Sequence, residues 1–335
     1  MISLRPVDLA LSHEFRTSRS RVTISRSYYL SGGSAVGEAS PVRFYGETPG
    51  TLEAAFHYLR DQLPPWGDPR AVWAQINRLL GYNFALKCGL DLLYWDHWGQ
   101  AQQAPVYDLL GIPQAQPVCT AFSIGIGSAE EMRDEVKARP HFKIYKIKVG
   151  FESDVEAVAA VRSVTDQPLY VDANGGWTVE EACAKLPRLA RLGVVLCEQP
   201  IFSGVRSDWD AVRDASPIAL IVDEHCQTPD DVGHWAGWVD GINVKLQKCG
   251  GITPAFEMIG RARDEGLRVM IGCMIESSVA IAGAVHLAPL ADYVDLDSHL
   301  YLQDDPWTGL NLHHGELTLS GAPGLGVRAR SLEAA

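Results

Sequence analysis

The alternation of apolar and polar positions divides the chain into two parts. Over about the first 50 residues it has a period of two, and SRVTISRSYYLSGGSAVGEASP reads as strand, glycine-rich turn, strand. The SGGS at 31–34 is a hairpin turn rather than a phosphate cradle, because no helix follows at once. Helical spacing takes over in LEAAFHYLRDQL, with Thr51 as the expected cap and Pro64-Pro65 as the stop, and again over about 85–102. Strands followed by helices make an α+β unit.

From about Pro117 short apolar strands alternate with helical stretches. The strands are VCTAFSIG, KIYKIKVG, PLYVDANG, VVLCEQP, ALIVDEH, GINVKLQ, LRVMIGCM and ADYVDLDS. Lys148, Asp172, Glu198, Asp223 and Lys245 mark successive strand ends 22–26 residues apart, the length of one strand–helix unit. Repeated in this way, the unit predicts a closed parallel α/β barrel. A doubly wound open sheet is the alternative, but SIGIGSAEE is a poor match to its glycine-rich phosphate turn. The expected division is a capping unit over 1–112, completed by the tail 311–335, and a barrel over 113–310.

A charged residue at the C-terminal end of a barrel strand faces the active end. Asp172, Glu198 and Asp223 come from neighbouring strands, so they form an arc of carboxylates. Such an arc suits Mg²⁺, or else salt bridges to Lys148 and Lys245. The two lysines fall on the second and sixth strands, which lie opposite each other in an eight-stranded barrel. One could remove a proton while the other delivers one to the opposite face. Lys146 shares a face with Lys148 by alternation, and a second ammonium there disfavours protonation of its neighbour. Asp295 and Asp297 also share a face. They are expected across the mouth from Glu198, either receiving a substrate ammonium or standing as an exposed strand end.

Composition narrows the classes. The chain has 335 residues, 47% of them hydrophobic, enough for a large core, and a formal charge of −12. No lysine- or arginine-rich run is present, which argues against a nucleic-acid partner. The seven cysteines form no C-x-x-C pair and lie mostly in apolar runs, as reduced thiols of a cytoplasmic protein would. No signal-peptide core and no membrane-length apolar run is seen. His313-His314 reads as surface, since spacing places no third ligand nearby.

Taken together, KIK at 146–148, DANGGW at 172–177, CEQP at 197–200, VDEH at 222–225, NVKLQKCGG at 243–251 and GCMIES at 272–277 resemble the enolase superfamily in its muconate-lactonising subgroup. The N-terminal GEASPVRFYGET is similar to that family's capping domain, and DLD at 295–297 resembles the dipeptide epimerases. The resemblance implies a modified (β/α)7β barrel with an α+β cap, and one Mg²⁺ per subunit held by Asp172, Glu198 and Asp223. It implies two-base 1,1-proton transfer through an enediolate by Lys148 and Lys245, assisted by Lys146. Asn174, Glu224 and Lys248 would support these groups from behind. Asp295 and Asp297 would bind the α-ammonium of a dipeptide, and Ser123 would touch the substrate. A cap arginine, Arg19 or Arg21, could pair with an acidic side chain, as in Ala-Glu epimerisation during murein peptide recycling. A homo-oligomer is also implied. The alternatives are an o-succinylbenzoate synthase or muconate cycloisomerase of the same subgroup, and a non-catalytic barrel that binds metal or ligand.

Overall fold

The computed structural model describes residues 1–113 and 117–330. Residues 114–116 and 331–335, which fall within the barrel and tail expected from the sequence, lie outside the described residues.

The alternating N-terminal segment forms an antiparallel sheet of β1 (Ser3–Arg16), β2 (Arg21–Gly32) and β3 (Ala35–Ala39), with β2 and β3 joined at the SGGS turn. Three helices follow: α1 (Pro49–Leu59), α2 (Pro69–Leu79) and α3 (Phe84–Gln102). The cap of α1 is Thr48, not Thr51. The Thr48 side chain accepts the Thr51 N–H, and Pro49 takes the first helical position, where its missing N–H is harmless. Thr51 is the third helical residue and returns the bond.

α3 is apolar nearly all round because it is buried between two layers. One side packs in a core with Tyr28, Leu30, Phe56, Leu59 and Ile76. The other docks onto the barrel, where Asp91 accepts from Thr253 N at 2.9 Å and Thr253 Oγ1 at 2.6 Å. β3 and α3 approach through paired glycines. A Cβ at Gly37 would lie 1.9 Å from the Gly89 carbonyl oxygen and 2.8 Å from Leu93 N, both backbone atoms without freedom to yield. Gly37→Ala is therefore expected to destabilise the fold by about 3 kcal/mol. Urea unfolding would test this, and an unchanged midpoint would refute it.

The eight-stranded parallel sheet runs β5 (Phe122–Ile124), β6 (Tyr145–Lys148), β7 (Leu169–Asp172), β8 (Val194–Glu198), β9 (Ala219–Val222), β10 (Gly241–Lys245), β11 (Arg268–Gly272) and β12 (Tyr293–Val294), in chain order across the sheet. A helical segment separates each successive pair. The Ala121 N–H donates to the Val294 carbonyl at 2.9 Å, bringing the last strand against the run-in to the first. VCTAFSIG is two elements rather than one strand. Its first half, β4 (Val118–Cys119), pairs antiparallel with the tail, and only Phe122–Ile124 enters the barrel.

The tail forms β13 (Trp307–Thr308), β14 (Leu310–His313), β15 (Glu316–Leu319) and β16 (Arg328–Ala329). β14 and β15 extend the β4 ladder, while Gly324 and Leu325 bond to Ala104 and Asp96 at the end of α3. No helix among the described residues is long and apolar enough to cross a membrane.

Candidate active site

Period-two alternation builds the site in layers. Ala121, Tyr170, Leu196, Ile221 and Met270 form one buried apolar cluster within the barrel. Two positions further along their strands lie Ser123, Asp172, Glu198, Asp223 and Gly272. Register sets Lys148 beside Asp172 and Asp172 beside Glu198, while Asp223 lies two positions beyond Ile221, the partner of Glu198. The charged layer thus rests on an apolar plug and opens at the C-terminal end.

Asp172, Glu198 and Asp223 are 0–1% exposed, and ammonium groups separate them. Lys148 Nζ lies 2.6 Å from Asp172 Oδ2. Lys245 Nζ lies 2.7 Å from Asp223 Oδ2 and 3.8 Å from Glu198 Oε1. Lys146 Nζ sits centrally, 2.6 Å from Glu198 Oε2, 2.7 Å from Asp295 Oδ2 and 3.2 Å from Asp172 Oδ2. Lys148 and Lys245 keep 8% and 6% exposure, against 1% for Lys146 and Lys248, so the first two meet the mouth and the others are sealed.

The electrostatics follow from this placement. Burial opposes ionisation of Asp172, but Lys148, Lys146 and Lys245 outweigh it and hold the carboxyl down to about 2. Asp223 is held far lower than a free aspartate, against burial, by Lys245 and Lys248. Glu198 goes the other way: burial and then Asp172 push it up. Burial would lower Lys146 and Lys245, yet their carboxylate partners raise both well above an ordinary lysine.

Lys248 reaches Asp223 Oδ1 at 2.5 Å and the carbonyls of Asp223, Asn243 and Cys226 at 2.7, 2.9 and 3.0 Å, which uses up its donors. The Asn174 backbone N–H donates to Asp172 Oδ1 at 2.8 Å, and its side chain donates to Glu224 Oε1 at 3.2 Å. Burial, then Asp223 and Asp172, raise Glu224 to about 7.

The aspartate pair departs from expectation. Asp295 does not face Glu198 across an open gap, because Lys146 bridges the two. Ser123 Oγ donates to Asp295 Oδ1 at 3.0 Å. Asp297 Oδ2 accepts from Ser123 N at 2.6 Å and Tyr301 Oη at 2.5 Å. Burial and then Asp295 raise Asp297 to about 7. Arg19 pairs with Glu224 Oε1 at 3.5 Å, whereas Arg21 is exposed at the start of β2.

Several residues not singled out from the sequence also belong here. Asn243 Nδ2 donates to Glu198 Oε1 at 2.7 Å; alternation back from Lys245 could have found it. Gln199, at φ 37°, accepts the N–H groups of Asp223 and Glu224 at 2.9 and 3.0 Å. Tyr45 lies near enough to Asp223 and Lys245 to feel both charges, and burial, then Asp223, keeps it a phenol. No sequence periodicity marks Gln199, Tyr45 or Tyr301.

The donor set fits a hard divalent cation, although no three His, Cys, Asp or Glu side chains among the described residues converge on one point as they stand. The buried carboxylates Asp172, Glu198, Asp223, Glu224, Asp295 and Asp297 outnumber the ammonium groups of Lys146, Lys148, Lys245 and Lys248. Glu198 Oε2 is close to Lys146 but out of hydrogen-bond alignment, and it has no other partner. Oxygen donors at the ends of three neighbouring strands, one of them without a hydrogen-bond partner, suit Mg²⁺.

A capped parallel barrel with lysines and carboxylates gathered at its strand ends has the architecture of a barrel enzyme. Residues 128–333 match the family described as enolase C-terminal domain-like, and the chain belongs to that family. It is 34% identical to the L-Ala-D/L-amino acid epimerase of Flavobacterium johnsoniae, over 97% of this chain and 98% of that one. It superposes with TM-score 0.93 on a substrate-liganded L-Ala-D/L-Glu epimerase from Bacillus subtilis, at 28% identity and 99% coverage of both chains. The dipeptide epimerase of Enterococcus faecalis V583, complexed with Mg and L-Leu-L-Tyr, gives TM-score 0.93 at 28% identity, covering 98% of each chain.

Proposed function

We propose that this chain is a Mg²⁺-dependent dipeptide epimerase that inverts the α-carbon of the C-terminal residue by 1,1-proton transfer, with L-Ala-Glu among its substrates. The observation that carries this reading is the placement of Lys148 and Lys245 four strands apart, at the two ends of the carboxylate arc. The relatives named above support the substrate class.

Asp172, Glu198 and Asp223 would hold the ion. When bound, it would hold the substrate carboxylate, offset the charge that develops as the α-proton leaves, and relieve the lysines of their carboxylate partners. Lys148 and Lys245 then each serve one face of the α-carbon, one accepting the proton and the other returning one. Lys146 acts as a fixed positive charge, as its carboxylate contacts favour. Asp295 and Asp297 receive the peptide ammonium, with Ser123 beside them. Asn174, Glu224 and Lys248 orient the arc. We take residues 1–112 with the tail 311–335 as the cap and 113–310 as the barrel. The cysteines of the described chain are unpaired, which supports a cytoplasmic setting.

In D₂O with Mg²⁺, both epimers of L-Ala-Glu or L-Ala-Leu should take up deuterium at the C-terminal α-carbon and interconvert, as read by NMR and mass spectrometry. Absence of α-exchange across a broad dipeptide library would sink the reading.

A further inference from the structure

The turn that joins β1 to β2 does not hang over the mouth; it is seated on the barrel. Ser18 Oγ donates to the Ala173 carbonyl at 2.9 Å. The floor beneath is paved by glycines. Cβ atoms at Gly150 and Gly176 would each come within 3.1 Å of Ser18 Cβ. One at Gly175 (φ 68°) would lie 2.6 Å from Arg19 Nη2 and 2.9 Å from Phe202 Cβ. DANGGW therefore leaves room for a segment of the cap as well as presenting Asp172.

Arg19 lies at the centre of this seat. Its guanidinium lies over the Phe44 ring at 4.3 Å and over the Phe202 ring at 4.6 Å. The two rings meet edge to face, 5.7 Å apart at 76°. Phe44 belongs to the capping segment and Phe202 to the loop after β8. Both rings are otherwise half exposed, at 45% and 54%. Arg19 also pairs with Glu224 at 3.5 Å. Glu224 takes Asn174 Nδ2 at 3.2 Å on the same oxygen, and the Asn174 N–H holds Asp172 at 2.8 Å. A single side chain thus ties two cap segments to two barrel loops, and its far end is one residue removed from the carboxylate arc.

We infer that Arg19 is a positioning residue, a clasp that holds the cap turn closed on the barrel whatever side chain the substrate carries. The aromatic rings take the flat faces of the guanidinium and Glu224 approaches its edge at 3.5 Å, so the contacts that seat the turn involve no substrate group. As a clasp, Arg19 serves acidic and neutral dipeptides alike. The inference rests on the epimerase reading for its kinetic arm only.

Loss of two cation–π contacts and one partly buried ion pair should shift the open–closed balance of the turn by about tenfold or more. In Arg19→Met, backbone amide exchange over residues 16–20 should rise by about that factor in hydrogen-exchange mass spectrometry. Its kcat/KM should fall by the same factor for L-Ala-L-Glu and L-Ala-L-Leu. Phe202→Ala, which removes no charge, should reproduce the faster exchange. A loss confined to the acidic dipeptide, or unchanged exchange over 16–20 in both variants, overturns the clasp. Should the wild-type protein epimerise no dipeptide, the exchange arm still decides the clasp, and only the functional reading fails.

Discussion

Lys245→Ala is expected to lower net epimerisation by about 10³-fold or more, the scale of a lost general acid–base group, while preserving α-proton exchange of one epimer. The asymmetry is the informative part. With Lys148 alone, a proton can leave and return on one face, so one epimer exchanges with D₂O and cannot invert. Lys148→Ala should show the mirror behaviour, exchanging only the other epimer. The structure also predicts that both variants fold. Asp223 keeps Lys248 at 2.5 Å when Lys245 is removed, and Asp172 keeps Lys146 at 3.2 Å when Lys148 is removed. Neither change leaves a buried carboxylate without a cation. ¹H NMR of each pure epimer in D₂O would read the result, and interconversion at a wild-type rate by either variant would rule out a two-base scheme.

Much of this arrangement is legible in the sequence because a barrel strand has a strict two-residue period. Tyr170 and Asp172, Leu196 and Glu198, and Ile221 and Asp223 each put an apolar residue in the plug and a charge two positions above it. The 22–26-residue spacing of those charges then sets strand order, and strand order opposes Lys148 to Lys245. Where the period fails, so does legibility. Gln199 works through a positive φ in a loop, and Tyr301 through a short turn after Asp297. The clasp draws Arg19, Phe44 and Phe202 from separate loops with no common spacing. The first barrel strand is masked for a related reason. VCTAFSIG alternates well enough to pass as one strand, and only the pairing of Val118 with Leu317 in the tail shows where it breaks. Lys146 bridging Glu198 and Asp295 was hidden too, since spacing shows which face a long side chain occupies but not how far it reaches.

Glu198→Gln separates the two readings of the carboxylate arc. If Asp172, Glu198 and Asp223 serve only as counter-ions for the lysines, the substitution should destabilise the protein by about 3–5 kcal/mol, the cost of breaking a buried ion pair. That penalty would be the same with and without Mg²⁺. The structure points the other way. Lys146 retains Asp295 at 2.7 Å and Asp172 at 3.2 Å, and Asn243 can still donate to the amide oxygen. Glu198 is also the member of the arc whose ionisation is disfavoured, by burial and then by Asp172. A neutral isostere should therefore cost the metal-free fold little. The loss should appear when the ion is offered. At a Mg²⁺ concentration 100-fold above its dissociation constant the wild-type protein gains about 2.7 kcal/mol, which for a chain of this size raises Tm by roughly 4 °C, and EDTA reverses it. Glu198→Gln should melt at one temperature in both conditions and epimerise at least about 10³-fold more slowly. A Mg²⁺-dependent rise in Tm equal to that of the wild type would remove Glu198 from the ion's ligands and return the arc to a purely ion-paired role.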